Sequence, residues 1–327
     1  MTMTESERRV GPHLPLGGGL VKAAGRATEI GATAVQVFTD NPTAWRRRRE
    51  PPRALAEFRK RLAEAGIGPV AVHAPYLINL CGANEDFWQK SIATVANELA
   101  VAATYGASFL VMHVGSHRGL GRDEGIRRLV AGMNRALSIA AERHQASGNG
   151  SGALPLLVLE NATGSGDGIG ASIEDLADIL VASSATGLPM DRLGVCLDTA
   201  HLWGAGYDVS TEAGVRSFVA RVDELVGRDK VVMLHLNDSR TTLGSKLDRH
   251  EHIGAGEVGE NGMRELLSEP WLATLPTYLE TPGMDEGFDR VNLDRVRMVI
   301  EGESLPKLPP EAFATRRSRA RTPPPDA

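Results

Sequence analysis

The chain has 327 residues, 42% of them hydrophobic and 24% charged, with a formal net charge of -5. That apolar content excludes wholesale disorder. The length admits two or three domains or one α/β barrel with extras, and the charge argues against a generally basic nucleic-acid binder.

Taken in chain order, short apolar runs end in polar or ionisable residues, and a helical pattern follows each. The runs are HLPLGGG near 13–19, AVQVFTDN at 34–41, GPVAVHAP at 68–75 and SFLVMHVG at 108–115. They continue with LPLLVLEN at 154–161, LGVCLDTAH at 193–201, KVVMLHLND at 230–238 and PTYLETP at 276–282. Most are continuous rather than alternating, the pattern of strands covered on both faces in a parallel sheet. Helical periodicity is expected over 53–66, 85–105, 123–146, 172–185, 211–227 and 261–269. Eight strands alternating with helices predict a single-domain (β/α)8 TIM barrel over residues 10–306. An open doubly wound sheet is the alternative. It is disfavoured because ionisable residues close at least six strands, whereas an open sheet gathers its site at one switch point.

Residues 1–9 read as a polar N-terminal segment, and SGNGSGA at 147–153 as a surface loop. Residues 307–327, rich in Pro and Arg, read as a disordered tail. The opening MTMTESERRV has no apolar signal core, and no apolar run reaches the roughly 18 residues of a membrane span. Cys81 and Cys196 are too few for a disulfide framework. The expectation is a cytoplasmic protein with no membrane contact, and nothing requires more than a monomer.

His73, His113, Glu160, Asp198, His235 and Glu280 each follow a buried run, about forty residues apart. Isolated buried charges cost several kcal/mol, so six such groups converging on one rim call for a divalent metal. DTAHLWGAGYD adds His201 three residues after Asp198, serving the same ion or a different one. HLNDSRTTLGSKLDRHEHIGAGEVG adds Asp248 and His250, whose D-x-H spacing puts both side chains on one face. His252 shares that face by spacing. His13 and His117 read as supporting or structural residues.

VHAPYLINL, MHVGSH, LEN, VCLDTAHLWGAGYD, LHLNDSRTTLGSKLDRHEHIGAGEVG and LETP together resemble the endonuclease IV family of abasic-site DNA repair enzymes. The resemblance runs from about His13 to about residue 300. It implies a zinc-dependent base-excision-repair phosphodiesterase that cuts damaged duplex DNA 5′ to an abasic site and leaves a 3′-hydroxyl. It also implies three zinc ions, with Mn²⁺ or Fe²⁺ as substitutes. His73, His113 and Glu160 would hold the first, and Glu160, Asp198, His235 and Glu280 the second. His201, Asp248 and His250 would hold the third, and His252 drops out. Glu160 and Glu280 are the catalytic carboxylates on this reading, with Glu280 orienting the attacking hydroxide.

The same resemblance places Tyr76 and the FTDNPTAW loop, with Asn41, against DNA. Here the sequence departs from the family: Thr43 stands where an Arg can occur, and Asp40 adds a negative charge. Arg46, Arg47, Arg48 and Arg49 follow, in a stretch that is expected to contact phosphates or else to be a solvated helix start. Two other readings remain. A one-metal sugar isomerase or epimerase would need only Glu160, Asp198, His235 and Glu280, and an inactive barrel could act as a DNA-binding scaffold.

Overall fold

The structure, a computed structural model, describes residues 8–48, 51–146 and 153–314. Eight parallel strands close into a barrel: β1 (Val10–Leu14), β2 (Val35–Val37), β3 (Val70–His73), β4 (Phe109–His113), β5 (Leu156–Glu160), β6 (Leu193–Asp198), β7 (Val231–His235) and β10 (Thr277–Leu279). Two short strands, β8 (Asp238–Ser239) and β9 (His250–Glu251), pair antiparallel on the rim. The strands are short and almost wholly buried, because helices cover their outer faces and side chains fill the inside. The outer ring comprises α1 (Leu20–Glu29), α2 (Leu55–Glu64), α3 (Glu85–Thr104), α4 (Arg122–Ala146), α5 (Ile173–Ala185), α7 (Glu212–Leu225), α8 (Gly259–Ser268) and α9 (Phe288–Glu301). A short helix, α6 (Thr199–Ala205), starts directly at the end of β6.

One layer inside the barrel is formed by Ala34, Ala71, Val111, Val158, Cys196, Met233 and Tyr278. Side chains alternate along a strand, so residues two positions later point to the same interior. Those residues are Gln36, His73, His113, Glu160, Asp198, His235 and Glu280. Register places them side by side: His113 is paired with Glu160, and Asp198 with His235. The second pairing depends on an irregularity between Val195 and Cys196, where the partner shifts from Val231 to Met233. Without that extra residue Asp198 would face Leu234, and His235 would be out of phase with its neighbours.

β1 begins earlier than its apolar run suggested, at Val10, and Gly17–Gly19 lead into α1. Gly11 is required at the β1–β2 contact, since a Cβ there would lie 1.7 Å from the Ala34 carbonyl oxygen. The helices α1, α6 and α9 fall outside the periodic segments picked from sequence. Helix starts are capped by Asn84 for α3, Ser172 for α5 and Thr211 for α7, each accepting a backbone N–H three residues on.

Both ends of the described chain are tied to the barrel. At the N-terminal segment, Arg8 is buried and donates to the Leu267 carbonyl at 2.7 Å; residues 1–7 lie outside the described residues. The expectation of disorder from residue 307 fails for its first part. α10 (Pro310–Phe313) packs back on the barrel, Ala312 is fully buried, and its carbonyl accepts from His252 Nε2 at 2.9 Å. Arg295 helps to hold the approach by donating to the Pro306 carbonyl at 2.7 Å. Residues 315–327, with their arginines, and residues 147–152 of the Gly/Ser loop lie outside the described residues.

Candidate metal centre

Strand ends and the loops after them bring all nine sequence-predicted ligands together. Three donor groups form, with ligand atoms within 4.8 Å of one another: His73, His113 and Glu160; Glu160, Asp198, His235 and Glu280; and Asp198, His201 and His250. Asp248 joins the last, its Oδ1 lying 3.2 Å from His250 Nε2 and 3.6 Å from His201 Nε2. Glu160 links the first two groups. Its Oε2 lies 3.4 Å from His73 Nε2 and 3.3 Å from His113 Nε2, and its Oε1 lies 3.0 Å from His235 Nδ1.

The third group has a local origin. Asp198 is the N-cap of α6, and its Oδ1 accepts from His201 N at 2.8 Å. An N-cap aspartate places the residue three positions on in the first helical turn, so D-x-x-H is a capping geometry here. The other oxygen, Oδ2, accepts from Asn237 Nδ2 at 2.7 Å and faces His250 Nε2 at 3.6 Å.

These residues fit divalent ions. Glu160 Oε2 and His250 Nε2 are buried atoms without a hydrogen-bond partner, and such orphans are costly. Spacings of 3.3–3.4 Å are what ligand atoms around a tetrahedral ion with bonds of about 2.1 Å would show. The imidazoles are also aimed by their far nitrogens. His73 Nδ1 donates to Ala74 O at 2.7 Å, His201 Nδ1 to Asn161 O at 2.8 Å and His250 Nδ1 to Glu280 O at 3.0 Å. Each contact leaves Nε2 with its lone pair toward the centre, the arrangement that supports metal-bound histidines.

The electrostatics agree. Burial pushes the Glu160 and Glu280 carboxyls up, but the neighbouring imidazoles, His235 foremost, hold both well below the ordinary carboxylate range. Burial opposes charge on His201, yet Asp198, Asp248 and Glu160 raise it well above the usual imidazole value. Protons on imidazoles thus supply the positive charge that buried carboxylates need, and a cation can replace them.

The mouth of the site is more open than its floor. The side chains of His113 and Asp248 are 40% and 52% exposed, while Glu160, Asp198 and His235 are fully buried. Tyr76 stands on the rim, 49% exposed, with its ring edge-on to Phe38 at 5.4 Å.

The β2–α2 loop is less simply arranged. Asn41 and Thr43 are exposed, and Asn41 Oδ1 accepts from both Thr43 N at 3.0 Å and Thr43 Oγ1 at 2.8 Å. Arg46 is exposed. Arg47 is not available to a phosphate as the run suggested. It turns inward, its Nε lying 3.2 Å from Oε1 of the buried Glu98 on α3, and it donates to Asn41 O at 2.8 Å. Arg48 is exposed, its backbone N–H donates to Asp40 at 3.0 Å, and its guanidinium lies 3.8 Å from that carboxylate. Arg49 lies outside the described residues.

The remaining histidines are supporting. His13 Nδ1 lies 3.0 Å from Glu280 Oε1, and His117 Nδ1 accepts from Gly121 N at 3.2 Å. His252 points away from the centre, held between Asn292 and the Ala312 carbonyl. Sequence reasoning missed three buried amides. Asn161 Oδ1 accepts from Asp198 N at 2.6 Å, and Asn237 Oδ1 accepts from Glu280 N at 2.8 Å. Gln36 contacts His235 and Glu280. The available signal was strand parity: Ala34-x-Gln36 matches Ala71-x-His73.

A closed barrel with clustered candidate metal ligands on its C-terminal rim defines the class, and the xylose isomerase-like TIM barrel family model matches residues 24–299. The chain is 36% identical over 288 residues to the probable endonuclease 4 of Methanoculleus marisnigri, covering 88% of this chain and 97% of that one. It superimposes on the crystal structure of endonuclease IV from Thermus thermophilus with a TM-score of 0.75 at 35% identity, covering 90% and 99% of the two chains. The 3-keto-D-glucoside 4-epimerase of E. coli, at a TM-score of 0.61 and 12% identity over 89% and 99% of the chains, shares the fold alone. The chain belongs to the endonuclease IV family.

Proposed function

We propose that this protein is a zinc-dependent abasic-site endonuclease that hydrolyses the phosphodiester 5′ to the lesion in duplex DNA and leaves a 3′-hydroxyl. The observation that carries it is the set of donor groups joined through Glu160, with the orphaned Glu160 Oε2 between two imidazoles. Three Zn²⁺ are assigned, to His73, His113 and Glu160; to Glu160, Asp198, His235 and Glu280; and to His201, Asp248 and His250. Mn²⁺ or Fe²⁺ are the substitutes. Bound there, such ions would bring the pKa of a water near 7 and offset charge on the phosphodiester oxygens.

The chain's own residues do the rest. Glu160 and Glu280 are the catalytic carboxylates. Glu160 is buried and offers one oxygen to each of two donor groups, and Glu280 turns Oε2 inward to accept and orient the proton of an attacking water. Fixed ligands limit reorganisation during the reaction. The exposed His113–Asp248–Tyr76 mouth admits a backbone phosphate. Asn41, Arg46 and Arg48 lie on the loop that approaches the flanking DNA. A sugar epimerase on this barrel would leave His73, His113, His201, Asp248 and His250 without a task. Among the described residues no helix is long and apolar enough to cross a membrane. The reading places the enzyme's action on DNA in the cytoplasm, and the site needs no second subunit.

The test is incubation with a duplex bearing one abasic site, with Zn²⁺ and with chelator. Chelator-sensitive incision giving a 3′-hydroxyl is expected; no incision by Zn²⁺-loaded protein in excess would sink the proposal.

A further inference from the structure

The layer of residues that carries the metal ligands also carries Gln36, fully buried at the end of β2. Its two amide atoms serve two different ligands. Oε1 accepts from His235 Nε2 at 3.0 Å, and Nε2 donates to Glu280 Oε1 at 2.6 Å. The consequences are directional. With Nε2 engaged, His235 presents Nδ1 to the centre, 3.0 Å from Glu160 Oε1 and 3.7 Å from Glu280 Oε2. With Oε1 engaged, Glu280 turns Oε2 inward. His73, His201 and His250 present Nε2 instead, because backbone carbonyls hold their Nδ1. His235 is reversed, and the group that holds it reversed is a side chain.

We propose that Gln36 is a positioning residue for the metal centre, one carboxamide that orients His235 and Glu280 together. An amide meets both demands from two separate atoms, since it offers an acceptor to an imidazole N–H and a donor to a carboxylate. A carboxylate would repel Glu280. A methionine would leave His235 Nε2 buried and unpaired, which is costly. His13 Nδ1 also contacts Glu280 Oε1, at 3.0 Å, so Glu280 Oε1 keeps one restraint when the amide is lost, whereas His235 Nε2 loses its Gln36 acceptor and Nδ1 keeps its contact with Glu160. The inference rests on the metal-centre reading above and extends it to a residue that touches no ion.

The test reads metal binding and not incision alone. Full-length wild type, Gln36→Met and Gln36→Glu are stripped with chelator and titrated with Zn²⁺ against a competing indicator. The methionine variant should lose about tenfold or more in affinity for one Zn²⁺, the usual cost of removing a group that orients a ligand. In nitrogen-15 NMR of the Zn²⁺-loaded wild type, His235 should bind through Nδ1 and show a slowly exchanging Nε2 proton. That proton should exchange fast in Gln36→Met and remain protected in Gln36→Glu, which keeps the acceptor. Wild-type affinity and a protected His235 proton in the methionine variant would overturn the inference while leaving the metal centre intact. Coordination of wild-type His235 through Nε2 would overturn it even if the variants fail to fold. A wild type that binds no Zn²⁺ would remove the metal-centre reading and this inference together.

Discussion

The strand-end layer and the β2–α2 loop lie side by side on the same rim, yet they obey different rules. In the layer, each side chain's direction follows from the pleat: two residues beyond Ala71, Val111, Val158, Cys196 and Met233 come His73, His113, Glu160, Asp198 and His235. In the loop, the three described arginines, Arg46, Arg47 and Arg48, are identical in chemistry and yet differ in direction. Arg46 is exposed, while Arg47 is drawn inward by Glu98 from α3, more than forty residues away. A repeating backbone makes direction a local property, and an irregular one leaves it to whichever distant partner arrives.

The sharpest way to probe the layer is Glu160→Gln. An amide cannot offer two charged oxygens to two ions, so incision should fall about a thousandfold or more, the upper end of what losing one electrostatic element costs. Zn²⁺ content should fall with it; full metal occupancy and activity would show that the layer is not the centre. Acidity should act on the same residues. In the ion-free protein His201 is raised well above its usual 6.5 by Asp198 and its neighbours. Protons therefore compete with Zn²⁺ at and above that value, and affinity should keep rising with pH through the neutral range. Zn²⁺ titrations at a series of pH values would check this, and a plateau starting below 6.5 would contradict it.

The loop is probed through its hidden partner. Burial pushes the Glu98 carboxyl up while Arg47 draws it down. Glu98→Ala removes one half of a buried pair and should cost about 3–5 kcal/mol in urea unfolding. It should also raise KM for the abasic duplex more than it lowers kcat, because the Asn41 loop loses its tether while the ligand layer is untouched. Near the C-terminal end of the described chain, truncation before Lys307 removes the carbonyl that His252 meets. It should cost about 1–3 kcal/mol, read as a lower Tm. The smallest effect separates neighbouring arginines. Arg46→Ala should reduce the salt dependence of DNA binding by about one unit of slope and leave stability unchanged. Arg47→Ala should do the reverse, and equal slopes for both would erase the contrast between them.

Much of the architecture was legible in the residues. Continuous Val/Leu/Ile runs ending in His, Asp or Glu at intervals of about forty could satisfy their burial and charge in few ways other than a closed barrel with a cation-binding rim. The D-x-x-H and D-x-H spacings were legible because capping and strand alternation are local. Less legible were β1, whose glycine turn blurred the strand boundary, and α9, whose polar face obscured the periodicity. The short α10 follows a proline-rich stretch, yet it is held by one buried alanine and a histidine sixty residues away.

Sequence therefore determined the barrel, its polarity and a set of candidate ligands, which the family resemblance narrowed to nine by setting His252 aside. The residues carried that much because alternation and capping tie a side chain's direction to its nearest neighbours. Only the tertiary structure decided which nitrogen each histidine presents, that Gln36 belongs to the ligand layer, that Arg47 faces inward and that the chain's last described turn is bound. Those depend on the β6–β7 register shift and on partners contributed by other elements. Their hydrogen-bond geometry becomes definite once the barrel closes and brings distant residues within about 3 Å of one another.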